Sequence, residues 1–159
     1  MGNQLKIGDK IPDFTSKDQE GNRILASDLL GSSLVIYFYP MDDTPGCTTE
    51  ACAFRDYQRS LQDLDCRVVG ISPDGLQSHQ KFVEKHNLNF TLLSDEQLEV
   101  CKKFDVLNAK EDRSGAKPQI ERTTFIVDAK GIIRWIEKPV VVEGHVNRVI
   151  EALAAHAFS

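Results

Sequence analysis

Short runs of apolar residues along the chain alternate with stretches in which apolar residues recur at helical spacing. The run Leu34–Tyr39 (LVIYFY) is continuous, rich in β-branched and aromatic residues, and stopped by Pro40, which predicts a strand buried on both faces. The run Cys66–Ser72 (CRVVGIS) predicts a second buried strand. Between the two strands, the spacing predicts one amphipathic helix whose apolar stripe consists of Phe54, Tyr57, Leu61 and Leu64.

The second half of the chain continues this alternation and then changes to a hairpin. The turn sequence Asp128–Gly131 (DAKG) separates two β-branched runs, which predicts an antiparallel pair of strands. The polar stretch Asn108–Gln119 predicts a long loop. The remaining predicted elements are a helix at Leu76–His86, a strand at Phe90–Leu93, a helix at Asp95–Phe104 with Leu98 and Cys101 on its apolar face, strands at Thr123–Val127 and Ile132–Ile136, and a closing helix at Gly144–His156.

The order of these elements predicts the fold class. A β-α-β start followed by β-β-α is the thioredoxin-like arrangement, an α/β fold with a mixed central sheet flanked by helices. The sequence contains no internal repeat and no linker between two halves. We therefore expect residues 1–159 to form one thioredoxin-like domain.

Composition and charge exclude several classes of function. The chain has 159 residues, 41% hydrophobic and 27% charged, which is typical of a globular protein, and its net charge of -5 without a basic cluster argues against nucleic-acid binding. The longest apolar run is far too short to cross a membrane, and Met1–Lys10 lacks the apolar core of a signal peptide. Four cysteines are too few for a secreted disulfide scaffold, so we expect a reducing, cytoplasmic location.

Cys47 lies where a reactive cysteine is expected, between the first buried strand and the following helix. Thr44 is a good helix N-cap, and Pro45 then falls at the first helical position, where its missing N–H costs nothing. Cys47 is thus predicted in the first turn, near unpaired backbone N–H groups and the positive end of the helix dipole, which stabilise a thiolate. The alternative is a small buried side chain with no chemical role.

The residues around Cys47 resemble a known motif. Pro40-x-x-x-Thr44-x-x-Cys47, directly after a strand reading LVIYFY, is similar to the active-site motif of the peroxiredoxins. Thr44–Thr48 (TPGCT) followed by Cys52 resembles the bacterioferritin comigratory protein or PrxQ type of that family. The similarity covers roughly residues 6 to 153, and further matching segments are Lys6–Phe14, Val69–Asp74, Leu88–Asp95 and Glu121–Asp128.

The resemblance implies a role for each matching residue. Cys47 corresponds to the peroxidatic cysteine, which attacks a peroxide oxygen and becomes a sulfenic acid, and Cys52 to the resolving cysteine, which then forms a disulfide with it. Thr44 corresponds to the residue whose hydroxyl contacts the sulfur and the peroxide, and Pro40 to the proline that shields the sulfenate. Arg122 corresponds to the arginine that keeps the thiolate ionised and orients the peroxide; without the resemblance, it could equally be a solvated arginine on a strand.

The implied reaction needs a peroxide, either hydrogen peroxide or an organic hydroperoxide, and an external dithiol such as thioredoxin, but no metal, haem or flavin cofactor. An internal resolving cysteine also removes the need for a second subunit, so we expect a monomer. If Cys47 and Cys52 share one regular helix, their Cα atoms lie roughly 8–9 Å apart, beyond the limit of about 7 Å for a disulfide. The reduced protein is therefore expected to hold them unbonded, and oxidation to unwind the helix start.

Other candidate residues carry weaker signals. Cys66 and Cys101 have no counterpart in the motif and are interpreted as core-packing thiols. Asp42 and Asp43 lack a matching histidine and are interpreted as solvated loop carboxylates. The four histidines are scattered, and those on the predicted helix Leu76–His86 are interpreted as solvated. The loop Asn108–Gln119 departs from the PrxQ pattern, which leaves peroxide and reductant preference open.

Two other functions remain as alternatives. A thiol–disulfide oxidoreductase on the same fold normally uses Cys-x-x-Cys, whereas four residues separate Cys47 and Cys52. A non-catalytic metal-binding or redox-sensing module would need further ligands, and no second Cys/His pair has suitable spacing for zinc. Peroxide consumption with a dithiol reductant distinguishes the three.

Overall fold

The computed structural model describes residues 5–108 and 119–155, which contain one seven-stranded mixed sheet. The strands are β1 (Thr15–Asp18), β2 (Arg23–Leu25), β3 (Ser33–Phe38), β4 (Cys66–Ser72), β5 (Thr91–Ser94), β6 (Thr123–Val127) and β7 (Ile133–Glu137). The helices are α1 (Pro45–Asp56), α2 (Gln58–Asp63), α3 (Leu76–His86), α4 (Glu99–Lys103) and α5 (His145–Ala155), with a short 3-10 helix at Ala26–Leu29. Across the sheet the order is β2-β1-β5-β4-β3-β6-β7.

Strand β3 lies near the middle of the sheet and is buried at every position, as its continuous apolar run predicts. Side chains that alternate along it enter two separate hydrophobic cores. Val35 and Tyr37 pack in the core that contains residues of α1, α2, α3 and α5. Leu34 and Ile36 pack on the opposite face with residues of α4 and of the segment before β1. The predicted mixed sheet between helical layers is therefore confirmed.

The single amphipathic helix predicted around Phe54 and Leu61 is wrong, because the chain forms two helices that meet at Tyr57. The backbone of Tyr57 leaves helical geometry, with φ -98° and ψ 12°, and its side chain is 40% exposed. Phe54 and Leu61 are fully buried, and Ala51 rather than Tyr57 completes the buried stripe. The break rotates Tyr57 away from the core, which spacing along the sequence does not reveal.

Helix α4 is also shorter than predicted. The Asp95 carboxylate accepts hydrogen bonds from the backbone N–H groups of Val100 (3.1 Å) and Cys101 (2.8 Å), and Leu98 adopts a left-handed backbone with φ 60°. The helix therefore begins only after Leu98, although Cys101 is buried as expected.

Strands β1 and β2 were not predicted because they are short and mostly exposed. Most of the predicted loop, residues 109–118, and His156 lie outside the described residues.

The topology gathers several chain segments at one edge of the sheet. Strands β3 and β4 are parallel, so both end at this edge, where α1 and α3 begin. Strand β6 runs antiparallel to β3 and starts there, with Thr123 paired to Phe38. Arg122 therefore lies beside the loop that leads from β3 into α1. Within the described ranges, no helix is long and apolar enough to cross a membrane.

Candidate active site

Cys47 occupies the first turn of α1, as predicted. Thr44 is extended (φ -85°, ψ 156°), Pro45 is the first helical residue, and the Thr48 N–H donates to the Thr44 carbonyl at 2.8 Å. The Thr44 hydroxyl does not cap the helix; it donates instead to the Met41 carbonyl at 3.0 Å and closes the loop before α1. Cys47 itself is buried, with 1% of its surface exposed. Its thiol therefore faces the helix N-terminus in a largely water-excluded site.

Arg122 reaches Cys47 across 75 residues of sequence. Its Nη2 donates to the Cys47 Sγ at 3.1 Å, and its Nη1 donates to the Glu50 Oε1 at 3.3 Å. The guanidinium thus bridges a thiol and a carboxylate that lie on the same helix, three residues apart. A charged donor at this distance stabilises the thiolate and any negative charge that develops beside it.

Gly46 makes this approach possible. A Cβ atom at position 46 would lie 3.0 Å from the Arg122 Nη2, the same nitrogen that contacts the sulfur. Any larger residue would push the guanidinium away from Cys47. The sequence analysis did not select Gly46, although a glycine inside a helix is unfavourable by about 1 kcal/mol relative to alanine and its presence is therefore a usable signal.

Behind Arg122, Glu50 and His145 form a buried pair that the sequence analysis also missed. Glu50 is 1% exposed, and the side chain of His145 is fully buried. The His145 Nδ1 lies 3.0 Å from the Glu50 Oε2, but the direction between them is not that of a hydrogen bond. The His145 Nε2 lies 2.9 Å from the Thr124 hydroxyl. The network therefore connects α1, β6 and α5 around Arg122.

Asp42 is not the solvated carboxylate that the sequence predicted. It is 8% exposed and accepts hydrogen bonds from the Tyr39 hydroxyl at 2.6 Å and the Ser78 hydroxyl at 2.8 Å. His79, also predicted to be solvated, is fully buried, and its Nδ1 lies 2.7 Å from the Asp42 Oδ2. The matching histidine was missed because it lies 37 residues away and reaches Asp42 only through the parallel packing of β3 and β4.

Asp43 is exposed, as predicted, but it is paired. Its carboxylate accepts from the Lys85 Nζ at 2.7 Å and contacts the His86 Nε2 at 3.1 Å. The hydrogen bonds from Lys85 and, to a smaller extent, His86 lower the pKa of Asp43. Pro40, the first residue of the motif, follows the end of β3 and is half-buried at the same edge of the sheet.

Among the described residues, Asp42, Asp74 and His79 are close enough to share a cation, with one ligand atom from each lying within 4.8 Å of the others. Their oxygens already serve as hydrogen-bond acceptors. The Asp74 Oδ2 accepts from the Asp42 N–H and the Ser72 hydroxyl, both at 2.7 Å, while Asp42 accepts from three side chains. A cation would have to displace these donors, so the arrangement fits a hydrogen-bond network better than a metal site.

Cys52 lies on α1, half-buried, five positions after Cys47. A regular helix advances about 7.5 Å over five residues and places the two side chains on different sides. Both thiols are free in the structure, in which α1 is intact.

Cys66 and Cys101 are core-packing thiols, as expected. Each is buried in one of the two hydrophobic cores. Burial raises the pKa of the Cys66 thiol to about 12. Burial and a hydrogen bond to Asp95 raise the pKa of Cys101 well above its ordinary value. Neither thiol forms a nucleophilic thiolate at neutral pH.

Comparisons with known proteins find relatives that match this chain over most of its length. The model of the AhpC/TSA family matches residues 7–136. The chain is 45% identical over 150 residues to a putative peroxiredoxin bcp of Coxiella burnetii, covering 94% of this chain and 99% of that protein. It is 42% identical over 149 residues to peroxiredoxin Bcp of Bacillus subtilis, covering 94% and 95%. A crystal structure of a PrxQ mutant from Xylella fastidiosa matches with a TM-score of 0.90 at 33% identity, covering 98% of this chain and 99% of that one.

Proposed function

The chain belongs to the AhpC/TSA family, in its Bcp/PrxQ group of peroxiredoxins, and from this premise we propose that Cys47 is the cysteine that attacks the peroxide. The protein is a thiol-dependent peroxidase with the thioredoxin-like fold. The contact of 3.1 Å between the Arg122 Nη2 and the Cys47 Sγ, at the start of α1, carries the assignment within this chain.

The proposed first step follows from the geometry around the sulfur. The Cys47 thiolate attacks one peroxide oxygen, an S–O bond forms, and the O–O bond breaks to give a sulfenic acid and an alkoxide or hydroxide that takes up a proton. The Arg122 guanidinium stabilises both the thiolate and the charge on the departing oxygen. The Thr44 hydroxyl already donates its proton to Met41, which leaves its oxygen free to accept a hydrogen bond from the peroxide O–H. Pro40 is proposed to shield the sulfenic acid from water.

Glu50 and His145 are proposed to hold Arg122 in place. A guanidinium shared between a sulfur and a buried carboxylate has a fixed plane, because its two Nη groups are used at once. Glu50 in turn packs against His145, whose Nδ1 lies 3.0 Å from its Oε2, so that helix α5 closes the site behind the catalytic arginine. These groups touch no substrate and act by positioning.

The second step regenerates the thiol. Cys52 is proposed to attack the sulfenic sulfur, which releases water and forms a Cys47–Cys52 disulfide, and thioredoxin or a similar dithiol supplies the two electrons that reduce it. Because the intact helix keeps the cysteines apart, the first turns of α1 must unwind. Oxidation is therefore expected to lower the helical circular dichroism signal and to speed amide exchange over residues 47–55. An oxidised protein that contains the disulfide with both signals unchanged would contradict this step.

The wider context of the protein is also proposed. Residues 1–159 are proposed to form one domain, because the seven described strands share one sheet. A resolving cysteine in the same chain supports a monomer, and the need to return both thiols to the reduced state supports a reducing compartment, the cytoplasm. Sedimentation of the reduced protein tests whether it is a monomer. A comparison of peroxide turnover with thioredoxin and with glutathione tests which reductant the protein uses.

Peroxide consumption with a dithiol reductant tests the assignment of the catalytic residues. Cys47→Ser is expected to abolish turnover, and Arg122→Met to slow the reaction with peroxide by about 10²- to 10³-fold, the usual effect of removing one charge-stabilising donor. The rate of Arg122→Lys is expected to lie between those of the wild type and Arg122→Met, since lysine keeps the charge but lacks the planar fork whose two nitrogens contact Sγ and Glu50. Arg59→Met, which removes an exposed arginine from α2, is the control. Turnover that survives in folded Cys47→Ser would overturn the proposal.

A further inference from the structure

His79 is a fully buried histidine whose two ring nitrogens both face hydrogen-bond acceptors. The Nδ1 lies 2.7 Å from the Asp42 Oδ2, and the Nε2 lies 3.0 Å from the Leu93 carbonyl oxygen. A carbonyl oxygen can only accept, so the Nε2 carries a proton. The two Asp42 carboxylate oxygens already accept hydrogen bonds from the Tyr39 and Ser78 hydroxyls, so Asp42 faces the ring as an acceptor and the Nδ1 carries a proton as well. The contacts therefore describe a buried imidazolium.

The surroundings of His79 determine how this charge responds to pH. Burial by itself lowers the pKa of His79, but the hydrogen bond and charge of Asp42, the Leu93 carbonyl and the charge of Asp74 outweigh it, and the pKa lies above its ordinary value. Four groups face His79 and Asp42. They are the Tyr39 phenol after β3, Asp74 after β4, Ser78 on α3 and the Leu93 carbonyl on β5. The imidazolium therefore persists to a higher pH than that of an ordinary histidine and is lost as the pH rises through this raised pKa.

Asp42 connects the imidazolium to the active site. It lies midway between Pro40 and Thr44 in the loop 40–44, which leads directly into the first turn of α1. Its backbone N–H donates to the Asp74 Oδ2 at 2.7 Å, so both its backbone and its side chain are fixed. Within the same loop, the Thr44 hydroxyl is bonded to the Met41 carbonyl at 3.0 Å. The position of Thr44 and of the Cys47 turn thus depends on how firmly Asp42 is held.

We propose that His79 is a positioning residue for peroxide reduction: its imidazolium holds Asp42, and through Asp42 the loop 40–44, so that loss of its proton loosens the loop and slows the reaction of Cys47 with peroxide. The inference rests on the proposed role of Cys47. A neutral imidazole has a single N–H and leaves either the Asp42 carboxylate or the Leu93 carbonyl facing a lone pair. The loop then loses the charged contact between His79 and Asp42, although Ser78, Lys85 and His86 still join it to α3.

The pH dependence of the peroxide rate constant tests this inference. In the wild type, the rate constant is expected to fall at alkaline pH, although a free cysteine becomes more reactive as the pH rises. His79→Gln, which is neutral at every pH, is expected to react roughly tenfold to a hundredfold more slowly at pH 7, in line with misplacement of a catalytic group, and to lack the alkaline decline. Asp42→Asn is expected to move the decline to lower pH, because it removes the carboxylate that holds the imidazolium proton.

A matched control and a spectroscopic measurement separate positioning from a loss of fold. Lys81→Gln removes an exposed positive charge from the same helix and is expected to keep the wild-type profile. In the wild-type protein labelled with nitrogen-15, His79 is expected to show two ring N–H groups at pH 7, and one of them is expected to be lost over the same pH range in which the rate falls. A His79 ring with one N–H at pH 7, or an alkaline decline that persists in His79→Gln, overturns the inference. If Cys47 were not the reactive thiol, Cys47→Ser would retain turnover, which distinguishes that failure from this one.

Discussion

Replacing Gly46 with alanine should slow the enzyme while leaving its fold at least as stable. The added Cβ would lie 3.0 Å from the Arg122 Nη2, 3.7 Å from its Cζ and 3.9 Å from the Val142 Cγ2. Ordinary contacts begin near 3.4 Å, so the guanidinium must retreat by about 0.4 Å or more. That movement lengthens the hydrogen bond to the Cys47 Sγ from 3.1 Å and weakens it.

The size of the effect follows from the bond that is weakened. A hydrogen bond to a charged group contributes about 1.5–3 kcal/mol, and losing much of it raises the barrier by about 1–2 kcal/mol, which corresponds to a rate about 5- to 30-fold lower. Alanine is a better helix former than glycine by up to about 1 kcal/mol, so the melting temperature should stay the same or rise. Stopped-flow measurement of the peroxide rate constant and a thermal melt detect the two opposite changes.

Two comparisons show whether the effect of Gly46→Ala passes through Arg122. Gly75→Ala, at the start of α3, places its Cβ 3.4 Å from the flexible Glu96 carboxylate, away from the site, and should leave the rate unchanged. In the Arg122→Met background, Gly46→Ala should slow the reaction with peroxide only slightly further, because the guanidinium that it displaces is gone. A wild-type rate for Gly46→Ala, or the same slowing in both backgrounds, would refute the reasoning.

Three further predictions concern the other thiols and the core. Cys52→Ser should consume about one equivalent of peroxide and then stall, with sulfinic acid detected by mass spectrometry; continued turnover with thioredoxin would rule out Cys52 as the resolving thiol. Alkylation of the native protein at pH 8 should spare Cys66 and Cys101, whose pKa values are raised, and labelling as fast as at Cys52 would contradict this. Gly70→Ala places a Cβ 2.8 Å from the buried Tyr37 ring and should lower the free energy of unfolding in urea by about 1–3 kcal/mol; an unchanged midpoint would show that the ring can move.

Local features were predictable because their causes lie within a few residues of each other. The continuous apolar runs predicted β3 and β4, since a strand in the middle of a sheet must be apolar on both faces. Pro45 and the cysteine two residues after it predicted the start of α1 and a thiol in its first turn. The same local patterns failed at Tyr57, where a small backbone deviation ends one helix and begins another.

The tertiary structure decided which charged groups meet at the site, although the resemblance to the peroxiredoxins predicted Arg122 as the partner of Cys47. Arg122 is 75 residues from Cys47, and it meets the sulfur because β6 runs antiparallel to β3 and starts where β3 ends. His79 meets Asp42 because the parallel pair of β3 and β4 brings α3 to the same edge. A buried charge needs its counter-charge within a few ångströms, but the chain can supply that partner from any element that the topology brings there. The sequence by itself therefore determined the strand–helix unit and the thiol in the first turn of its helix, whereas the packing of distant elements determined which charged groups surround that thiol.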